Sequence, residues 1–171
     1  MRSNFKIMAI TNELASSVFY ASSQRSRDSS ALEPDGVPYC HQLHYLQMTS
    51  EKLAKAYACD PQSVEPPPMT HAAFVRFLQT IKGRHDIRRK LGYGSATVFV
   101  RFIDSLLPLA YQIQQLAPAG LTQPNPEYPW RVQATNAIQS PVKYDFPEFD
   151  PRAPQMMKLD KLLTKLMRLS V

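Results

Sequence analysis

The run CHQLHYLQMTSEKLAKAY, residues 40–57, gathers two histidines, a cysteine, a glutamate and two lysines on what must be one helix. His41 and His44 stand at i, i+3 beside Cys40, a spacing that can present two imidazoles to one metal. A site needs at least three protein ligands, and His71 and His85 are each single, so no metal centre and no cofactor are expected. Glu51 followed by Lys55 is the favourable i, i+4 ion-pair order, contributing about 0.3–0.5 kcal/mol on an exposed helix. Glu51 lies two turns from His44 and reaches it only through intervening groups. On spacing alone this stripe reads as the solvated side of a helix.

Two further groupings have chemical potential. RHDIRRK places Arg84, Arg88, Arg89 and Lys90 in one short segment with His85. As a phosphate contact it gives salt-sensitive, non-specific RNA binding, and as a plain surface turn it gives none. His71 and Arg76 lie five positions apart, a cation beside a group able to move a proton near neutral pH. No Gly-rich phosphate loop, nucleophile elbow or zinc-protease motif occurs. No alternation of aromatic and basic residues marks a surface for stacking bases.

The elements that must position these residues are helical. A helix is expected from Thr11 or Asn12 through ELASSVFYASSQ, fading in the Ser-, Asp- and Pro-containing loop RSRDSSALEPDG. A second starts near Pro38, with Tyr39, Leu43, Leu46, Ser50, Leu53 and Tyr57 on its buried face, and stops before CDPQSVEPPP. Thr70 caps a third, HAAFVRFLQTIKG, with Phe74, Phe77, Leu78 and Ile81 inward. After the basic segment, closed by Gly92 and Gly94, Ser95 caps the longest apolar helix. Phe99, Phe102, Leu106, Leu109, Ile113 and Leu116 line its buried face, and Pro108 predicts a kink.

Residues 117–154 hold eight prolines and read as an extended, mostly irregular strap. Its apolar side chains, Tyr128, Trp130, Val132, Ile138, Val142, Tyr144, Phe146 and Phe149, should fasten it across the helices, and a short strand pair within 128–146 remains open. Tyr128 and Trp130 of NPEYPW are expected to fill a groove between helices. A last helix, 155–170, sets Met156, Leu159, Leu162, Leu163 and Leu166 against Lys158, Lys161, Lys165 and Arg168. The chain is therefore expected to be one all-α domain over residues 1–171, an up-and-down bundle of four to five helices.

Composition agrees with a folded chain: 44% of the 171 residues are hydrophobic and 20% charged, and 15 prolines against 5 glycines favour stiff connections. A net charge of +6 biases encounters toward anionic partners without defining a site. No uninterrupted apolar run approaches a membrane span, and the N-terminus lacks a secretory apolar stretch, so a cytoplasmic protein with no membrane partner is expected. On one helix Cys40 and Cys59 would be about 28 Å apart, too far for a disulfide, and both are read as free thiols.

One combination points further. LHYLQMTSEKLAKAY, a Pro-containing loop and THAAFVRFL together resemble the HEPN superfamily (higher eukaryotes and prokaryotes nucleotide-binding), over about residues 10 to 117. Glu51, Lys52, Lys55 and Ala56 match the end of that superfamily's long helix, and Thr70 and His71 match the start of the next. The resemblance implies a HEPN-like helical bundle that forms a homodimer and engages RNA or a partner protein, such as a nucleotidyltransferase in a toxin–antitoxin or defence system. Nuclease members carry an Arg, four to six intervening residues and a His on a late helix, acting in metal-independent RNA cleavage. None of the four histidines here has an Arg at that distance before it, and the late helix carries Arg101 and no His. A non-catalytic module is expected, with two alternatives: a metal-independent ribonuclease with a displaced centre at His71 and Arg76, and a structural bundle.

Overall fold

The computed structural model describes residues 38–58, 73–116 and 123–169. The helix expected from Thr11 or Asn12, the triple-proline linker, and the residues Cys59, Thr70 and His71 lie outside the described residues.

The described chain is mainly helical, with five α-helices and one small two-stranded ladder. Helix α1, Tyr39–Ala58, begins as the Pro38 carbonyl accepts from the His41 amide at 3.0 Å. Helix α2 is Ala73–Ile81, and the six-residue α3 is His85–Lys90. Gly92 ends α3 with φ +88, a left-handed value that costs glycine little. The Tyr93 amide bonds to the Arg88 carbonyl and the Gly92 amide to the Arg89 carbonyl, the pair of a Schellman termination. Helix α4, Ala96–Gln115, is capped by Ser95, whose hydroxyl accepts from the Val98 amide at 3.4 Å.

Pro108 leaves α4 unbroken. It sits on the exposed side of the helix, as does Asp104, whose carbonyl it cannot serve. By length and composition α4 is apolar enough to cross a membrane. In this fold Phe99, Ile103, Leu106 and Ile113 face the core, while Arg101 and Asp104 lie exposed in the middle of the helix. Helix α5, Pro154–Arg168, buries all five residues its spacing selected, together with Met167.

The core gathers one face from each helix. Helix α1 packs on α2 and α4, α2 packs on α4, and α4 packs on α3 and α5. Two tyrosines tie down the ends of α1. The Tyr39 hydroxyl donates to the Phe149 carbonyl, and the Tyr57 hydroxyl donates to the Leu166 carbonyl at 2.8 Å.

The strap combines irregular chain with a minimal ladder. Strand β1, Trp130–Arg131, pairs antiparallel with β2, Ile138–Gln139, and single 3-10 turns follow at Pro141–Lys143 and Pro147–Phe149. It is fastened by fewer side chains than expected. Trp130, Phe146 and Phe149 are buried, with Tyr144 edge-on to both Trp130 and Phe146 at centroid distances of 5.2 and 4.9 Å. Tyr128, Ile138 and Val142 are exposed, so Tyr128 fills no groove between helices. The physical reason is local: the Asn125 side-chain oxygen accepts from the Glu127 and Tyr128 amides, turning the chain outward before Trp130 goes in.

Candidate functional site

The polar stripe of α1 is not solvated. Gln42, Gln47, Thr49, Ser50, Glu51 and Lys55 are all buried, as are Leu43 and Leu53. Glu51 and Lys55 are only 8% and 7% exposed, which overturns their assignment to a solvent-facing side. The helix packs on more than one neighbour, so its heptad-like apolar face accounts for part of its contacts and its polar side for the rest. The charges are satisfied locally: Lys55 Nζ donates to Glu51 Oε1, and Gln47 Nε2 donates to Glu51 Oε2 at 3.2 Å. In a low-dielectric setting a charged pair survives only with such partners. Among the superfamily-like positions, Glu51 and Lys55 thus hold one another inside the fold, Ala56 is buried and Lys52 is half-buried.

The histidines of the same helix separate. His41 is exposed, whereas His44 is half-buried with Nδ1 3.7 Å from Glu127 Oε2 of the strap, beyond hydrogen-bond length. Among the described residues no group of three His, Cys, Asp or Glu side chains is placed to hold a metal ion. Cys40 is a buried free thiol, and burial pushes its pKa up, away from the reactive thiolate.

The basic segment forms α3 and its approach. Ile87 is its buried anchor, Arg84, Arg89 and Lys90 are exposed, and Arg88 is half-buried. Arg84 forks onto Asp86, Nε to Oδ1 at 2.9 Å and a terminal nitrogen to Oδ2 at 2.7 Å. That guanidinium holds the Asp86 carboxyl well below the usual carboxylate range. Arg88 donates to the Gly94 carbonyl at 2.9 Å, which fixes the turn after the helix. Arg88, Arg89 and Lys90 fill the last turn of α3, where cations are favoured by the helix dipole.

A cavity of about 110 Å³ opens between the end of α1, the outer face of α2 and α3. Exposed Arg76 and Arg84 form its rim, buried Phe77, Ile81 and Ile87 form its floor, and buried Lys55 also lines it. Arg76, singled out from sequence beside His71, is exposed and lines this cavity; its proposed partner lies outside the described residues. Arg84 joins the cavity to the basic segment, so two groupings separate in the sequence meet on one surface. Sequence reasoning missed Lys55, Tyr57 and Thr80 as lining residues. A signal was present: Ala73, Arg76, Phe77, Thr80, Ile81 and Arg84 follow at steps of three and one, the spacing of one helical stripe.

Comparison with protein-family models, with curated proteins and with solved structures finds no match for this chain.

Proposed function

We propose that this protein is a non-catalytic, HEPN-like helical module that binds RNA through phosphate contacts and pairs with a second copy of itself. The observation that carries the RNA assignment is the set of exposed cations formed by Arg76 and Arg84 on the cavity and Arg89 and Lys90 on α3. Cations fixed on a short, well-terminated helix suit a polyanion better than a compact ligand, because each side chain meets a separate phosphate. The net charge of +6 adds long-range attraction.

The helix order, a long α1 packed on α2 across a Pro-containing connection, supports the superfamily resemblance, as do Glu51, Lys52, Lys55 and Ala56 near the end of α1. The non-catalytic assignment follows from the sequence. Metal-free RNA cleavage needs a proton-transfer group near neutral pKa and a cation in one pocket, and the Arg-to-His spacing that supplies both is missing.

The test incubates the purified chain with a labelled single-stranded RNA in EDTA, with binding followed by anisotropy and mass by light scattering. The expected result is a dimer that shifts the RNA and leaves it intact. Cleavage that disappears in His71→Ala would replace the module with a metal-independent ribonuclease. A monomer that leaves the RNA unbound would exclude the proposed function and turn attention to a protein partner of the nucleotidyltransferase kind.

A further inference from the structure

Phosphate contacts need no apolar cavity, yet one lies directly beside the cationic surface. Its floor is Phe77, Ile81 and Ile87, and Tyr57 forms a wall with its ring centroid 5.1 Å from that of Phe77. The Tyr57 hydroxyl is held by the Leu166 carbonyl, so this wall is in place before any ligand arrives. In a duplex the bases are stacked inside and cannot enter such a cavity. In a single strand a base can leave the stack, lay its face against aromatic and aliphatic side chains, and leave its phosphate at the charged rim.

Size narrows the choice. An apolar cavity of about 150 Å³ takes one benzene ring. The 110 Å³ here is smaller than that but open on one side, so a six-membered ring can enter with one edge left at the mouth, while a fused bicycle is too large. We infer that the cavity between α1, α2 and α3 receives a single unstacked pyrimidine of a single-stranded RNA, with Arg76 on the adjoining phosphate. This inference rests on the RNA-binding function proposed above.

The lining cations fit that role unequally. Lys55 is engaged by Glu51 and Arg84 by Asp86, which leaves Arg76 as the rim cation without a side-chain partner among the described residues. Thr80, also on the lining, donates its hydroxyl to the Arg76 carbonyl at 2.9 Å. Its oxygen lone pairs remain able to accept from the N–H of a pyrimidine edge.

The experiment measures anisotropy of a short fluorescein-labelled oligouridylate, an oligoadenylate and their duplex on the full chain, with Ala73→Leu and Thr80→Leu as independent fillings of the cavity. The expected result is oligouridylate bound about tenfold more tightly than oligoadenylate or duplex. Either filling should remove that advantage while duplex binding stays unchanged. Equal affinity for all three probes, or an advantage that survives both fillings, overturns the base pocket and leaves phosphate binding standing. Tighter oligoadenylate binding that both fillings abolish overturns the pyrimidine assignment. No binding of any probe overturns the pocket and the RNA-binding function together.

Discussion

Two charged stretches of this protein have similar residue types and opposite fates. The row Gln47, Glu51 and Lys55 on α1 is buried and consumed by bonds within itself, whereas Arg84, Arg89 and Lys90 at α3 are exposed. The difference comes from how many elements pack on each helix. Helix α1 has neighbours on more than one side, so even its polar face is enclosed. Helix α3 buries only Ile87, so the rest of its surface is left to solvent or to a partner. Charge on a helix therefore indicates a binding surface only where the surrounding fold leaves it uncovered.

Stability should separate the two stretches most strongly. Lys55→Met strands the Glu51 carboxylate in a buried site and is expected to lower unfolding free energy by about 3–5 kcal/mol in urea titration. Replacing both partners, Glu51→Leu with Lys55→Met, should recover most of that loss, because no buried charge remains. Arg89→Met at the exposed stretch is expected to stay within about 0.5 kcal/mol of the parent. A Lys55→Met variant as stable as Arg89→Met would break the comparison.

RNA affinity should reverse the order. Arg89→Ala combined with Lys90→Ala is expected to weaken RNA binding about tenfold at low salt, with stability unchanged. A smaller effect of opposite sign is expected at Asp86. Its carboxylate occupies the Arg84 fork, so Asp86→Asn should tighten RNA binding about two- to fivefold by anisotropy. Arg84 depresses the Asp86 pKa. What this pair gives the fold is then present above the ordinary carboxylate value of about 3.9 and lost only as pH falls below it toward the folded value. Between pH 5 and 8 Asp86 should thus add no pH dependence to stability or to binding.

The subtlest difference is chemical. Cys40 lies on the enclosed helix, and its thiol is buried with a raised pKa. Thiol titration at pH 8 should find no more than one fast-reacting thiol per native chain, and both after unfolding. Rapid labelling of Cys40 in the native protein would mean that α1 is less enclosed than described.

Where a helix has one buried face, its sequence declares it. The spacing of Leu159, Leu162, Leu163 and Leu166 marks the inner side of α5, and Ser95 marks the start of α4. In α4, burial also takes in Ile103 and Ala110, beyond the positions chosen by spacing, and leaves Phe102 half-buried. The row on α1 was illegible for a different reason: periodicity finds the apolar face and assigns the remainder to water, which fails for a helix covered on several sides. In the strap, proline content announced an extended path. Which aromatics turn inward depended on the Asn125 turn and on a ladder only two residues long. The cationic segment was legible as residues. Its junction with Arg76 through Arg84 required the tight turn between α2 and α3, in which the Arg84 amide bonds to the Ile81 carbonyl, and Lys55 joined the lining only through the packing of α1.

Under the proposed function the exposed stretch at α3, and not the row on α1, meets RNA phosphates. The most direct test is a salt titration of single-stranded RNA binding, comparing the parent with Arg89→Ala/Lys90→Ala. Log affinity should fall linearly with log salt, and the slope should become shallower by about 0.7 for each phosphate contact removed, or about 1.4 for the pair. An identical slope in parent and variant, or no binding by the parent at low salt, would contradict it.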